Sequence, residues 1–271
     1  FQAYLMTLVA PIYLGEPDAR ALFGNPEGGS RNCGDHMRNP ELGAMLAEAA
    51  RAAGFDAVPP FSTETVAEQN WVQLTQSQFD PIRITDRLWI VPSWHESPDP
   101  SAINLILDPG MAFGTGSHPT TRLCLEWLTT EIQPGVSVLD YGCGSGILAI
   151  AAVKLGAGEV TGVDIDEKAV ETAADNAANN AVSLHLQVSA KPLEGTFQRV
   201  VANILTNPLK MLAPLLAARV APGGKLALSG VLEAQAQDVI EAYAPYITLR
   251  VGATHEGWVR LEGDRPEQAV S

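Results

Sequence analysis

The chain is short of cysteine, of aromatic residues and of positive charge, and it has no long apolar run. Three cysteines in 271 residues, Cys33, Cys124 and Cys143, show no Cys-x-x-Cys spacing. That supplies neither a disulfide framework nor a zinc site, and no metal is expected. No uninterrupted apolar stretch approaches the roughly 20 residues that a membrane helix requires. Nor does a basic stretch followed by an apolar core mark a secretion signal. Lys and Arg number 17 against 31 Asp and Glu, a formal net charge of −14. Such a surface disfavours non-specific contact with phosphate backbones. It would suit a basic partner, and equally it would serve solubility alone. The expectation is a cytoplasmic monomer with no membrane contact and no direct nucleic-acid binding.

What the chain does have is apolar residues, 46% of the total against 18% charged, and enough length for one large domain or one plus a small one. Its organising stretch is Val136-Ser-Val-Leu-Asp140-Tyr-Gly142-Cys-Gly144-Ser-Gly146-Ile-Leu-Ala. An aliphatic run ends at a carboxylate, three glycines follow at every second position, and an alanine-rich helical pattern begins near Ser145. This spells strand, tight turn and helix, the first unit of a doubly wound α/β sheet with a ligand crevice at the strand's carboxyl end. Dinucleotide enzymes use Gly-x-Gly-x-x-Gly, and a carboxylate at Asp140 would repel a pyrophosphate. The same carboxylate attracts the ammonium group of S-adenosylmethionine (SAM), whose own carboxylate can use the helix N-terminus. Asp164 closes the next apolar run, Glu159-Val-Thr-Gly-Val-Asp164, where an acid accepts hydrogen bonds from ribose hydroxyls. Cys143, inside the glycine turn, reads as a small filler and not as a nucleophile.

Residues 1–66 read as a small α+β domain, with a strand near Ala3–Ala10 and a helix over Glu41–Ala53. Residues 67–100 form a tryptophan-bearing connector, and 101–271 the main domain. Strand Asn104–Asp108 leads into Pro109-Gly-Met-Ala-Phe113-Gly114-Thr115-Gly116-Ser117-His118-Pro119-Thr120-Thr121. Glycines and small hydroxyls there suit a lid over the crevice, with Ser117 capping the next helix and Pro119 in its first turn. Further strands are expected over Leu184–Ser189, Arg199–Asn203 and Lys225–Gly230, the last entered by a Pro222-Gly-Gly224 turn. A helix over Glu233–Tyr243 and an antiparallel pair, Tyr246–Thr254 with Gly257–Gly263, complete a seven-stranded, Rossmann-like methyltransferase sheet.

The Asp108–Thr121 segment, the Asp140–Gly146 turn and Asn203-Ile-Leu together resemble the PrmA family, the lysine methyltransferases of ribosomal large-subunit protein L-eleven. The resemblance covers residues 80–265. It implies SAM as cofactor, contacts at Thr121, Gly142, Asp164 and Asn203, and a ribosomal large-subunit protein as substrate, methylated at lysine side chains and its terminal amine. It also implies a ferredoxin-like N-terminal domain that grips that protein. Residues 1–66 are short for a complete βαββαβ unit, and one tryptophan, Trp71, stands where the family has two.

The expected cofactor residues are Phe113, Gly114, Thr115, Thr121, Asp140, Gly142, Gly144, Gly146, Asp164 and Asn203. Asn203 also has an amide oxygen able to orient an amine, which makes it the catalytic candidate; no dedicated base is expected. The fold leaves two other functions open: a SAM-dependent methyltransferase of nucleic acid or of a small molecule, and a non-catalytic SAM-binding protein. Asn203-Ile-Leu-Thr lacks the adjacent prolines and aromatic residue that stack a planar substrate.

Overall fold

Successive strand residues face opposite ways, and in this chain both directions lead into a core. In the computed structural model, which describes residues 79–108 and 118–267, Val138 and Val201 join one buried cluster while their neighbours Leu139, Val200 and Ala202 join another. A sheet covered on both faces reads as continuous aliphatic runs, which is why these strands show no polar alternation. The chain divides into two compact units, Phe1–Thr75 and Gln76–Ser271. The expectations for residues 1–66 and for Phe113, Gly114 and Thr115 lie outside the described residues.

Three short strands come first, β1 (Ile82–Thr85), β2 (Leu88–Val91) and β3 (Ile103–Ile106), in a sheet of that order. The β1–β2 pair is antiparallel and the β2–β3 pair parallel. Helix α1 (Pro119–Glu131) follows. Its Arg122 guanidinium donates to the Arg83 and Ile84 carbonyls at 2.7 and 3.2 Å, tying α1 to the small sheet.

The main sheet takes β4 (Val138–Tyr141), β5 (Val160–Asp164), β6 (His185–Val188), β7 (Phe197–Asn203), β8 (Val220–Leu232), β9 (Leu249–His255) and β10 (Trp258–Asp264). Their order is β6-β5-β4-β7-β8-β10-β9. The first five in that order are mutually parallel, and β10 is antiparallel to both β8 and β9. The helices are α2 (Ile147–Lys154), α3 (Glu167–Asn179), α4 (Thr206–Met211), α5 (Ala213–Arg219) and α6 (Ala236–Tyr243). Apolar residues of α1 and α2 fill one face of the sheet, and those of α4, α5 and α6 the other. This is the expected seven-stranded doubly wound α/β sheet. Among the described residues no helix is long and apolar enough to cross a membrane.

Three local expectations need correction. The helix expected near Ser145 starts at Ile147, with Gly146 as its N-cap. The cap of α1 is His118, whose ring nitrogen accepts from the Thr120 N–H, with Pro119 in the first turn as expected. Pro222-Gly-Gly224 does not precede its strand but lies within β8. There Gly223 and Gly224 exchange main-chain hydrogen bonds with Arg265, both at 2.9 Å, while the register against β7 slips between Phe197 and Arg199.

Candidate functional site

The sheet's order reverses where β4 lies between β5 and β7, and a crevice outside the carboxyl ends of strands at such a point is where α/β sheets bind ligands. Asp140 is fully buried at the end of β4. Its Oδ2 accepts from the Ala149 N–H in the first turn of α2, at 3.1 Å, and its Oδ1 has no partner. Burial pushes its carboxyl up to about 7; the Ala149 bond opposes that shift, and the nearby Asp164 carboxylate adds to it. A buried carboxylate with an unmet oxygen is costly unless a cation arrives.

The turn that follows is tied to β5. The N–H groups of Gly142 and Cys143 donate to the Val163 carbonyl at 2.7 and 3.0 Å, and that of Gly144 to Asp164 Oδ2 at 2.8 Å. Gly142 has φ +78°, and a Cβ there would run into the Ile204 side chain. Gly146 has φ +79°, and its Cβ would stand 2.9 Å from that of Ala173 on α3. Neither position tolerates another residue without strain. Cys143 is buried, and its thiol is pushed up by that burial, with Asp140 and Asp164 adding to the rise, as suits a packing residue. Asp164 proves to be a brace as well as a potential ligand, since Oδ1 also accepts from the Asp166 N–H at 3.0 Å. Each of its oxygens keeps a second lone pair.

Asn203, at the end of β7, donates its side-chain amide to the Thr121 hydroxyl at 3.3 Å, and its Oδ1 is buried without a partner. Thr121 is fully buried in the first turn of α1. One turn back on that helix, the His118 ring meets Trp258 edge-on, with centroids 4.8 Å apart and planes at 69°. Trp258 pairs with Leu232 on β8, three residues beyond the Ser229 that pairs with Asn203. The Trp258–His118 contact is thus an outer rung to the Asn203–Thr121 rung, between the same helix start and the same sheet. Trp258 escapes sequence reasoning because it reads there only as one residue of the Gly257–Gly263 strand.

A cavity of about 350 Å³ lies beside the ends of β4 and β5, lined among others by Tyr141, Val163, Ser189 and Leu193. Two large apolar side chains stand exposed beside the site: Ile165, 87% exposed, follows Asp164, and Leu205, 70% exposed, is the N-cap residue of α4. The structure therefore brings Thr121, Asp140, Gly142, Gly144, Gly146, Asp164 and Asn203 to one end of the sheet. Among the described residues no group of His, Cys, Asp and Glu is arranged to hold a metal.

Comparison with known proteins finds the same fold and close relatives of the sequence. The family model for ribosomal protein L11 methyltransferase (PrmA) matches residues 37–266. A ribosomal protein L11 methyltransferase of Dechloromonas aromatica is 58% identical over 261 residues, covering 93% of this chain and 88% of the relative. One from Thiobacillus denitrificans is 55% identical over 256 residues, covering 92% and 86%. Among solved structures, a ribosomal protein L11 methylase from Lactobacillus delbrueckii subsp. bulgaricus superposes with a TM-score of 0.64 at 32% identity, covering 70% of this chain and all of that one.

Proposed function

Because the chain belongs to the ribosomal protein L11 methyltransferase family, we propose that it methylates amines of ribosomal protein L11 through the site at the ends of β4, β5 and β7. It is a SAM-dependent methyltransferase. The observation that carries the site assignment is a pair of orphaned acceptors. Of the four buried side-chain atoms without a partner among the described residues, the two oxygens are Asp140 Oδ1 and Asn203 Oδ1. Both the ammonium group of the cofactor and the amine to be methylated are donors, so two unmet acceptors fit two donors.

In this proposal Asp140 supplies the negative charge that faces the cofactor's ammonium group, and Gly142, Gly144 and Gly146, all at positive φ, let the turn fold tightly beside it. Asp164 uses its remaining lone pairs for the ribose while it braces Gly144. Thr121 holds the Asn203 amide and borders the methyl-donor side. Phe113, Gly114 and Thr115 remain the proposed lid. Bound SAM supplies a methyl group on a sulfonium, open to in-line attack. Asn203 Oδ1 accepts from the acceptor amine and aims its lone pair, so positioning supplies most of the acceleration. A lysine amine must be neutral to attack, and desolvation beside Trp258, Leu232 and Leu205 lowers its pKa. No side chain need act as base if water takes the proton.

Residues 1–66 are proposed to recognise the protein substrate, in the cytoplasm where ribosomes form. Incubation with labelled SAM and unmodified ribosomal protein L11, followed by peptide mapping, tests the whole assignment. Label on lysine side chains and the terminal amine supports it. Label on RNA or on a small molecule instead, or none anywhere, would replace it.

A further inference from the structure

Two asparagines near the end of α3 make contacts that its own capping does not require. Asn180 is 5% exposed. Its Oδ1 accepts from the Ile106 N–H at 2.8 Å, and its Nδ2 donates to the Ile106 carbonyl at 2.7 Å and to the Asn176 carbonyl at 2.8 Å. The amide thus stands where the next strand would be, on the side of β3 turned away from β2. Asn176 donates its Nδ2 to the Ser145 carbonyl at 2.8 Å. The N–H of that same peptide unit, on Gly146, donates to the Cys143 carbonyl at 2.8 Å. The peptide is therefore held at both ends, within the turn whose neighbouring N–H, on Gly144, is held by Asp164.

The bonds run without a gap from Ile106 on β3, through Asn180 and Asn176, to Ser145 in the glycine turn. Beyond Ile106, the chain reaches Asp108, whose two carboxylate oxygens accept from the Ser93 N–H at 2.6 Å and the Ser93 hydroxyl at 2.8 Å. Strand β3 is thus fixed from the small sheet on one side and from α3 on the other. A helix end needs only its own last carbonyls satisfied. One of Asn180's three side-chain bonds does that. The other two, and the Asn176 bond, join separate elements.

We propose that Asn176 and Asn180 form one positioning unit, which sets the Ser145–Gly146 peptide of the cofactor turn and ties that setting to strand β3. This rests on the assignment of the turn to the cofactor. With the peptide fixed, the turn meets its ligand without first paying to order itself. Because the ligand then favours the state in which all four bonds are made, occupancy of the turn also steadies β3, by linkage. Neither asparagine touches the cofactor in this account; both act through Ser145.

The test uses the full chain and S-adenosylhomocysteine, with two readouts. Affinity is measured by calorimetry, and hydrogen exchange is followed at the Ile106 amide, the group that Asn180 accepts from. In the parent protein, ligand should slow that exchange. Asn176→Ala leaves the Asn180–Ile106 bonds intact, and its side chain is only half-buried, so the fold should survive. It should weaken S-adenosylhomocysteine by about 5- to 10-fold, the loss expected for one unmet hydrogen bond. Ile106 should no longer respond to ligand, while the acceptor KM at saturating SAM stays at the parent value. Asn180→Ala should speed Ile106 exchange before any ligand is added and weaken the ligand similarly. A purely structural role would lower Tm in both variants and leave affinity and ligand response as in the parent; that result overturns the proposal. A parent protein that fails to bind S-adenosylhomocysteine would instead overturn the cofactor assignment beneath it.

Discussion

Asn203 and Thr121, 82 residues apart in sequence, meet at 3.3 Å where β7 ends and α1 begins. The bond uses the amide nitrogen of Asn203 and leaves its oxygen buried and unpartnered. Thr121 therefore sets the orientation of the amide. A free amide would turn over readily, and an acceptor amine would then meet a donor half the time. Asn203→Ala should lower kcat by about 100-fold, the scale of losing a preorganised polar group at a reacting centre, with SAM affinity changed much less. Thr121→Val, nearly the same shape, should lower kcat about 10-fold by freeing the amide. Single-turnover rates separate this from slowed release, and a parent-like rate in both variants would remove Asn203 from the chemistry.

With Asp140 facing the cofactor's ammonium group as proposed, cofactor binding should be sensitive to pH. Without a cation its carboxyl sits up at about 7, and a neighbouring ammonium group favours the ionised form. Binding should therefore release a proton around neutral pH. Affinity should be highest a little above pH 7, while the ligand's amine is still charged, and fall by about tenfold per unit below it. Calorimetry in two buffers of different ionisation enthalpy measures the proton directly.

The same group sets a stability trend of opposite use. Its folded pKa lies above the unfolded value of about 3.9. Its contribution is therefore fully present below about pH 4 and is lost as pH rises toward 7. Asp140→Asn should raise the Tm of the ligand-free protein at pH 8 by a few degrees, a gain that shrinks at pH 5.5, while weakening SAM at pH 8. Stability gained where binding is lost is the expected exchange at a strained site. A variant less stable than the parent at pH 8 would show that the Ala149 bond, and not the buried charge, dominates.

Two glycines with nearly the same backbone separate conformational strain from crowding against a neighbouring side chain. Gly135 has φ +84° with nothing within 4 Å of where a Cβ would stand, whereas at Gly142, φ +78°, the Ile204 side chain occupies that space. Gly135→Ala should cost only the left-handed penalty, about 1–2 kcal/mol, and leave SAM binding alone. Gly142→Ala should cost more in Tm and abolish measurable SAM affinity.

The site's skeleton is legible in the sequence because its signals are local. Aliphatic runs ending at Asp140, Asp164 and Asn203, with glycines at fixed offsets, specify strand ends and a turn without reference to the rest of the chain. What escapes depends on partners far away. Trp258 gains meaning only from His118, and Asn180 only from Ile106, 74 residues distant. Pro222-Gly-Gly224 looks like a turn on any local rule, yet Arg265 supplies it with a strand's hydrogen bonds. The cap of α1 falls on His118 and not on a serine because an imidazole nitrogen can accept from the Thr120 N–H as a hydroxyl would.

Binding and recognition should separate between the two units. Every proposed cofactor residue lies within Gln76–Ser271, whose two apolar clusters are built from its own elements. Deleting Phe1–Thr75 should therefore leave SAM affinity within about threefold of the parent. Methylation of ribosomal protein L11 should fall by about 100-fold or more, because a tethered substrate presents its amines at an effective concentration that free encounter does not reach. A short lysine peptide at high concentration supplies the control. It needs only the Asn203 rung and the apolar outer rung, so both chains should methylate it at the same low rate, and Trp258→Ala should raise its KM in both. If the shortened chain methylates the ribosomal protein as well as the parent does, recognition resides in the catalytic unit, and the contacts around Trp258 and Leu232 are then the first surface to mutate. If it loses the peptide reaction too while still binding SAM, the front unit completes the acceptor site itself, and its role is in positioning the amine and not in capture alone.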